Sequence, residues 1–208
     1  AFDLPSHKVK LTSGRAKHMT PPAVVSLDGQ WEMAENGAML DRLALAPWTD
    51  AVPAMVPGSV HTALQTAGRI PDPKVGRQDA IAREKSFQTW WFRCKFPRPA
   101  GIATPRLVFG GVAIRCTVWL NRVLLGSHEG MFGGPEFDIA PKRLDDENTL
   151  VVRIDPAPFS QPKGATDNGV WMKTVTFNNV YGWHYSDIPA LGIWRSVRIE
   201  EKPALRLE

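Results

Sequence analysis

The chain has 208 residues, 43% of them hydrophobic and 22% charged, with a formal net charge of +4. That length suits one large domain or two small ones, and all-β sandwiches often reach it as a single unit. No apolar run approaches the roughly 20 residues that a bilayer span needs, and the charge is too thinly spread for the dense basic face of a nucleic-acid binder, so neither a membrane nor a nucleic acid is an expected partner.

Residues 1–26 read as an extended lead-in: 1–22 carry no sustained period and end in Pro21-Pro22, while Lys8, Lys10, Arg15 and Lys17 make a solvated, locally basic arm. The opening AFDLPSHKVK lacks the apolar stretch of a signal peptide. A single domain is expected over 27–208, starting at LDGQWEM, where Asp28-Gly29 is a turn signal and Trp31 and Met33 follow at strand spacing. In VPGSVHTALQTAGRIPDP the pattern predicts a short helix: Ser59 caps it, Val60, Ala63, Leu64 and Ala67 form its apolar stripe, Gly68 ends it and Pro71 prevents resumption.

From Thr89 the period is close to two. Trp90, Phe92, Cys94 and Phe96 share one face of a predicted strand, with Trp91, Arg93 and Lys95 on the other, the pattern of a half-buried strand. Ile114, Cys116, Val118 and Leu120 alternate in the same way before Asn121-Arg122, a hairpin signal in which Arg is less suited than Gly to the second position, leaving a longer or bulged turn open. Further strands are expected at RLVF, EFDIA, NTLVVRI (Leu150, Val152 and Ile154 inward), KTVTF and WRSVRIE (Val197 and Ile199 inward). Short strands at regular intervals separated by turn residues predict an all-β sandwich or jelly roll. The Pro- and Gly-containing stretch 155–170 is expected to be the mobile connection. The chain stops at RLE as a strand ends, which suggests a piece of a longer polypeptide.

Most catalytic signatures are absent from the sequence: there is no nucleophile elbow, no zinc-protease or paired-cysteine pattern and no phosphate-binding glycine loop. His61, His128 and His184 are far apart and read as surface or packed histidines, and no metal or cofactor is expected. Asp138, Asp145, Asp146 and Glu147 are available carboxylates, although the run Asp145–Glu147 reads as a solvated turn before a strand. Cys94 and Cys116 share parity with apolar neighbours and read as buried thiols, a disulfide between them being open in an oxidising compartment. Of the eight tryptophans, Trp31, Trp90, Trp119 and Trp194 read as core or sheet-face residues. Trp183 sits outside any alternation beside Tyr181, His184 and Tyr185, where aromatic faces and polar tips suit either a sugar ring or a plug closing one end of the sandwich.

The succession LDGQWEM, VPGSVHTALQTAGRIPDP, WWFRCKF, VWLNRVLLGSHEGMFGGPEFDI, ENTLVVRI and GWHYSDIPALGIWRSVRIE resembles the N-terminal sugar-binding domain of glycoside hydrolase family 2, in its β-mannosidase and exo-β-glucosaminidase branch. The resemblance runs from about Leu27 to Glu200. It implies a galactose-binding-like jelly roll standing first in an exo-acting retaining glycosidase, before an immunoglobulin-like domain and a TIM barrel that carries both catalytic glutamates. It implies no catalytic residue in this chain, a β-linked pyranoside and the other domains of the same chain as partners, and a periplasmic or secreted location.

In the mannosidase branch the loop resembling Gly182-Trp183 continues Asp-Trp-Gly-Pro. Trp183 carries over, His184 stands in the place of the Asp, Tyr185 in that of the second Trp, and Asp187 follows one turn later. These four residues are the implied substrate-binding set, and the departure from the branch pattern leaves the mannose preference open. Two other functions stay open beside this one: a self-sufficient carbohydrate-binding module, and a domain that only braces its neighbours.

Overall fold

The structure, a computed structural model, describes residues 23–76, 78–156, 159–160, 171–172 and 188–202. Fourteen strands follow one another in these residues: β1 (Val24–Ser26), β2 (Gly29–Glu35), β3 (Val52–Val56), β4 (Gly58–Ser59), β5 (Trp90–Pro97), β6 (Pro105–Phe109), β7 (Arg115–Leu120), β8 (Val123–Glu129), β9 (Glu136–Asp138), β10 (Glu147–Asp155), β11 (Phe159–Ser160), β12 (Trp171–Met172), β13 (Gly192–Ile193) and β14 (Val197–Glu201). Three short α-helices accompany them: α1 (Met39–Leu43), α2 (Val60–Thr66) and α3 (Asp79–Lys85).

Two antiparallel sheets make the body, one in the order β1-β14-β6-β9 and one in the order β3-β2-β5-β10-β7-β8. Alternation along each strand sends one set of side chains inward. Met33, Phe92, Phe96, Val118, Leu150, Val152 and Ile154 from the larger sheet meet Leu107, Phe109, Val197 and Ile199 from the smaller in one buried cluster. The chain is thus the all-β sandwich that its pattern predicts. The first strand starts at Val24, where Val24 pairs with Glu200 and Val25 with Ile199, ahead of the Leu27 start read from the sequence.

Strand β5 differs from expectation. Its second face is covered at Trp91 and Arg93, each as buried as the core residues Trp90 and Phe92, while Lys95 on that face is exposed. The segment holding α1 folds over that face, and Trp91 packs there with Ala34, Leu43, Trp48, Trp119 and Val151. Arg93 is tied down by Glu32 Oε2 at 2.6 Å and by the carbonyls of Ala44 and Ala46 at 3.3 and 2.9 Å. A buried guanidinium is tolerated when hydrogen bonds hold it, and here Nε and one terminal nitrogen are held.

The predicted helix is α2. Ser59 Oγ accepts from the Thr62 N–H at 3.0 Å, Val60, Ala63 and Leu64 are buried, and Gly68 takes a φ of 66° just past the helix end. The hairpin turn is two residues long, Asn121 and Arg122 having φ of 48° and 68°, and the irregularity falls inside the strands instead, between Val118 and Trp119. Arg122 is tolerated there because Asn121 does the anchoring. Its side chain accepts from the Thr149 N–H at 2.8 Å and donates to the carbonyl of Arg143 at 2.9 Å.

Both cysteines are free thiols. Cys94 pairs with Leu150 and Cys116 with Ile154 on opposite sides of β10. Two inter-strand steps and four residues of rise put their Cα atoms about 17 Å apart, against the roughly 7 Å limit of a disulfide. The bridge left open by the sequence therefore cannot form in this fold. The predicted strand KTVTF, at 173–177, lies outside the described residues.

Candidate functional site

Trp183, His184, Tyr185 and Asp187 lie outside the described residues. The stem that follows them, Ile188–Trp194, is described, and several elements grip it. Leu191 and Ile193 are in the core and Ile188 packs against it. Strand β13 pairs with β4, so the stem is joined to the residues that begin α2. The Val60 N–H donates to the Leu191 carbonyl at 2.9 Å, and Gly192 and Ala113 exchange backbone bonds of 3.2 and 2.9 Å. Gly192 is required for this approach: its φ is 145°, and a Cβ there would lie 2.5 Å from the Gly58 carbonyl oxygen.

A third hold comes from the end of α3. Ser86 is 1% exposed. Its hydroxyl donates to the Pro189 carbonyl at 3.1 Å and lies 2.8 Å from His61 Nε2. Burial pulls the His61 pKa below the usual 6.5, partly opposed by a backbone hydrogen bond to Ala82.

An aromatic ledge stands at the other end of the stem. The Trp194 indole lies against Gly111, where a Cβ would come within 2.8 Å of the ring, and its N–H donates to the Met131 carbonyl at 3.1 Å. Phe132 meets that indole edge-on, with ring centroids 6.0 Å apart, and is itself 56% exposed. The Arg195 guanidinium sits 4.5 Å from the indole centroid. Trp194 is thus a half-buried rim residue rather than a core one. The sequence reading did not single out Phe132, although its place in the run Gly130–Gly134, flanked by glycines, marks an aromatic held out on a tight loop.

A glycosidase acid needs a carboxyl whose pKa is raised, yet every carboxylate shifted here is shifted down. Hydrogen bonds from Lys202 and Arg106 lower Asp138, one from Arg42 lowers Asp50, and one from Thr104 lowers Glu201. Asp145 and Asp146 are exposed just ahead of β10, as their sequence suggested, and Glu147 is the exposed first residue of that strand. Among the described residues no three His, Cys, Asp or Glu side chains gather as metal ligands. An open cleft of about 510 Å³ lies on the outer face of the larger sheet, lined by Asp41, Arg42, Trp48, Thr49 and Asp50, two of whose charged groups, Arg42 and Asp50, form an ion pair of 2.6 Å.

Comparison with known proteins decides the family. Residues 31–195 match the model for the glycosyl hydrolase 2 galactose-binding domain-like family. The chain belongs to this family. The galactose-binding-like domain is 28% identical over 199 residues to a β-mannosidase of Mus musculus, covering 84% of the chain and 21% of that protein. With β-mannosidase B of Aspergillus niger it shares 30% identity over 176 residues, covering 77% of the chain and 20% of that protein. Among solved structures, a β-D-mannosidase from Dictyoglomus thermophilum superposes with a TM-score of 0.67 at 25% identity, covering 86% of the domain and 22% of that chain. A β-glucuronidase from an uncultured Clostridium shares the fold at a TM-score of 0.58 and 18% identity. The domain therefore spans about a fifth of the length of the relatives it matches.

Proposed function

We propose that this galactose-binding-like domain is the non-catalytic N-terminal accessory domain of an exo-acting retaining β-glycosidase of β-mannosidase type. In this reading Trp183, His184, Tyr185 and Asp187 reach the sugar subsite of a TIM barrel elsewhere in the same protein, Trp183 by stacking on the pyranose and the others by hydrogen bonding to its hydroxyls. The observation that carries it is the likeness to the Dictyoglomus β-D-mannosidase, at 25% identity over 86% of the domain and only 22% of that enzyme. The downward shift of Asp50, Asp138 and Glu201 supports the division of labour, since each is an ion-paired or hydrogen-bonded carboxylate rather than a proton donor. A periplasmic or secreted location belongs to the same proposal. No helix of the described residues is long and apolar enough to cross a membrane.

The test is an assay of the isolated domain against aryl β-glycosides, with titration of simple pyranosides. No turnover and weak or undetectable binding are expected, and robust hydrolysis overturns the proposal. The exposed Phe132 ring beside Trp194 favours one second reading, a self-sufficient carbohydrate-binding module. Tight glycan binding by the isolated domain would select it.

A further inference from the structure

Ser86 has one hydroxyl proton and two neighbours within reach of it, the Pro189 carbonyl at 3.1 Å and His61 Nε2 at 2.8 Å. The donation to Pro189 is complete only if Nε2 itself carries a proton and donates to Ser86 Oγ. If Nε2 is bare, it is a competing acceptor, and for a buried hydroxyl the two bonds exclude one another. The Ala82 backbone raises the His61 pKa, as a nearby carbonyl acceptor does, and with Nε2 facing Ser86 the nitrogen left to serve that carbonyl is Nδ1. A neutral ring has one proton for these two tasks. A charged ring has two.

We propose that His61, acting through Ser86, is a positioning residue that fastens the stem at Pro189 when its ring is charged and loosens it when the ring is neutral. The functional meaning rests on the sugar-binding reading given above, because Pro189 follows Asp187 by two residues. By linkage, a stem fastened by the relay binds the His61 proton more tightly than a released one, so acidification favours the fastened state. Burial opposes the charged ring and sets the transition below 6.5. Among the described residues of α2, α3 and the stem, no other group is placed to mimic it. Helix α2 carries no other titratable side chain. Of the titratable side chains of α3, which are Asp79, Arg83, Glu84 and Lys85, none is among the influences that set the His61 pKa, and Lys85 is paired with Glu35 at 2.8 Å. The described stem has none.

The test uses the whole 208-residue chain. Hydrogen exchange at the Gly192 N–H, which bonds the Ala113 carbonyl, reports opening of the stem. Protection corrected for intrinsic rates is measured across about pH 5 to 8, alongside the His61 ring resonances in nitrogen NMR spectra. Protection is expected to rise about fivefold as His61 becomes charged, the effect of one neutral hydrogen bond. His61→Gln, whose amide N–H donates at every pH, should hold protection high and flat, and Ser86→Ala should hold it low and flat. A wild-type protection that does not follow the His61 titration overturns the proposal, as does a step that survives either substitution. Should Ser86→Ala not fold, the wild-type spectra suffice: a neutral ring protonated at Nδ1 is expected, and a neutral ring protonated at Nε2 contradicts the switch. No sugar enters this experiment, so its failure is separable from failure of the sugar-binding reading.

Discussion

The Arg93 guanidinium lies 4.3 Å from the centroid of the Trp48 ring, which covers it on the outer face of the larger sheet. Arg42 approaches the same ring at 5.2 Å while its two terminal nitrogens hold Asp50 at 2.8 and 2.6 Å. Beneath this layer Trp91 and Trp119 pack with centroids 5.5 Å apart. The domain therefore has an apolar cluster outside the sandwich as well as the core inside it.

Trp48→Ala should accordingly cost about 3 kcal/mol of stability, the scale of a large buried aromatic truncated to a methyl. It also strips cover from Arg93. Denaturant unfolding of the two proteins checks this. A change no larger than that of an ordinary surface substitution would mean the second cluster contributes little.

Gly192→Ala is expected to destabilise the domain by at least ~2 kcal/mol, because the new Cβ meets the Gly58 carbonyl at a φ that side chains rarely adopt. Gly68→Ala is the control, since its Cβ would enter open space and only the positive φ is strained. Thermal melts of both variants should place Gly192→Ala clearly lower.

The sign of one pH effect follows from Asp50. Its hydrogen bonds to Arg42 hold its pKa below the usual 3.8, so the folded state favours the carboxylate more than the unfolded state does. The resulting stability is complete above the ordinary carboxylate pKa and disappears as pH falls through the lowered one. Asp50→Asn should lower Tm near neutral pH and narrow its gap to the wild type at strongly acidic pH. The side chain is 54% exposed, so the effect is modest.

Burial pushes both thiols up, Cys116 to about 12. At pH ~8 native protein should resist alkylation, whereas denatured protein should react at both cysteines. Native oxidant should leave no intramolecular disulfide, given their separation across β10. Mass spectrometry of labelled protein reads both outcomes.

Much of the sandwich was legible because period-two alternation is a local signal: Leu150, Val152 and Ile154 fall inward wherever β10 sits in the sheet. Helix α2 was legible through Ser59 and Gly68. Helices α1 and α3 were not, since neither has a side-chain cap and α3 buries only Ala82, which leaves no stripe to read. The burial of Trp91 and Arg93 depends on a distant segment covering them, which no pattern within β5 records. At the candidate site the sequence pointed to Trp183 and its neighbours by composition and resemblance. The hold of Ser86 on Pro189 spans 103 positions and has no sequence signature. Phe132 and Trp194 come together only because β7, β8 and the stem meet at one rim.

The most direct measurement is steady-state kinetics of the full-length protein proposed to carry this domain, with Trp183→Ala compared with wild type on an aryl β-mannoside. A fall in kcat/KM of about tenfold or more, equivalent to roughly 1.4 kcal/mol of lost substrate interaction, is expected at unchanged Tm. Unchanged kinetics with a lowered Tm would contradict a role in sugar binding and leave the segment as a brace.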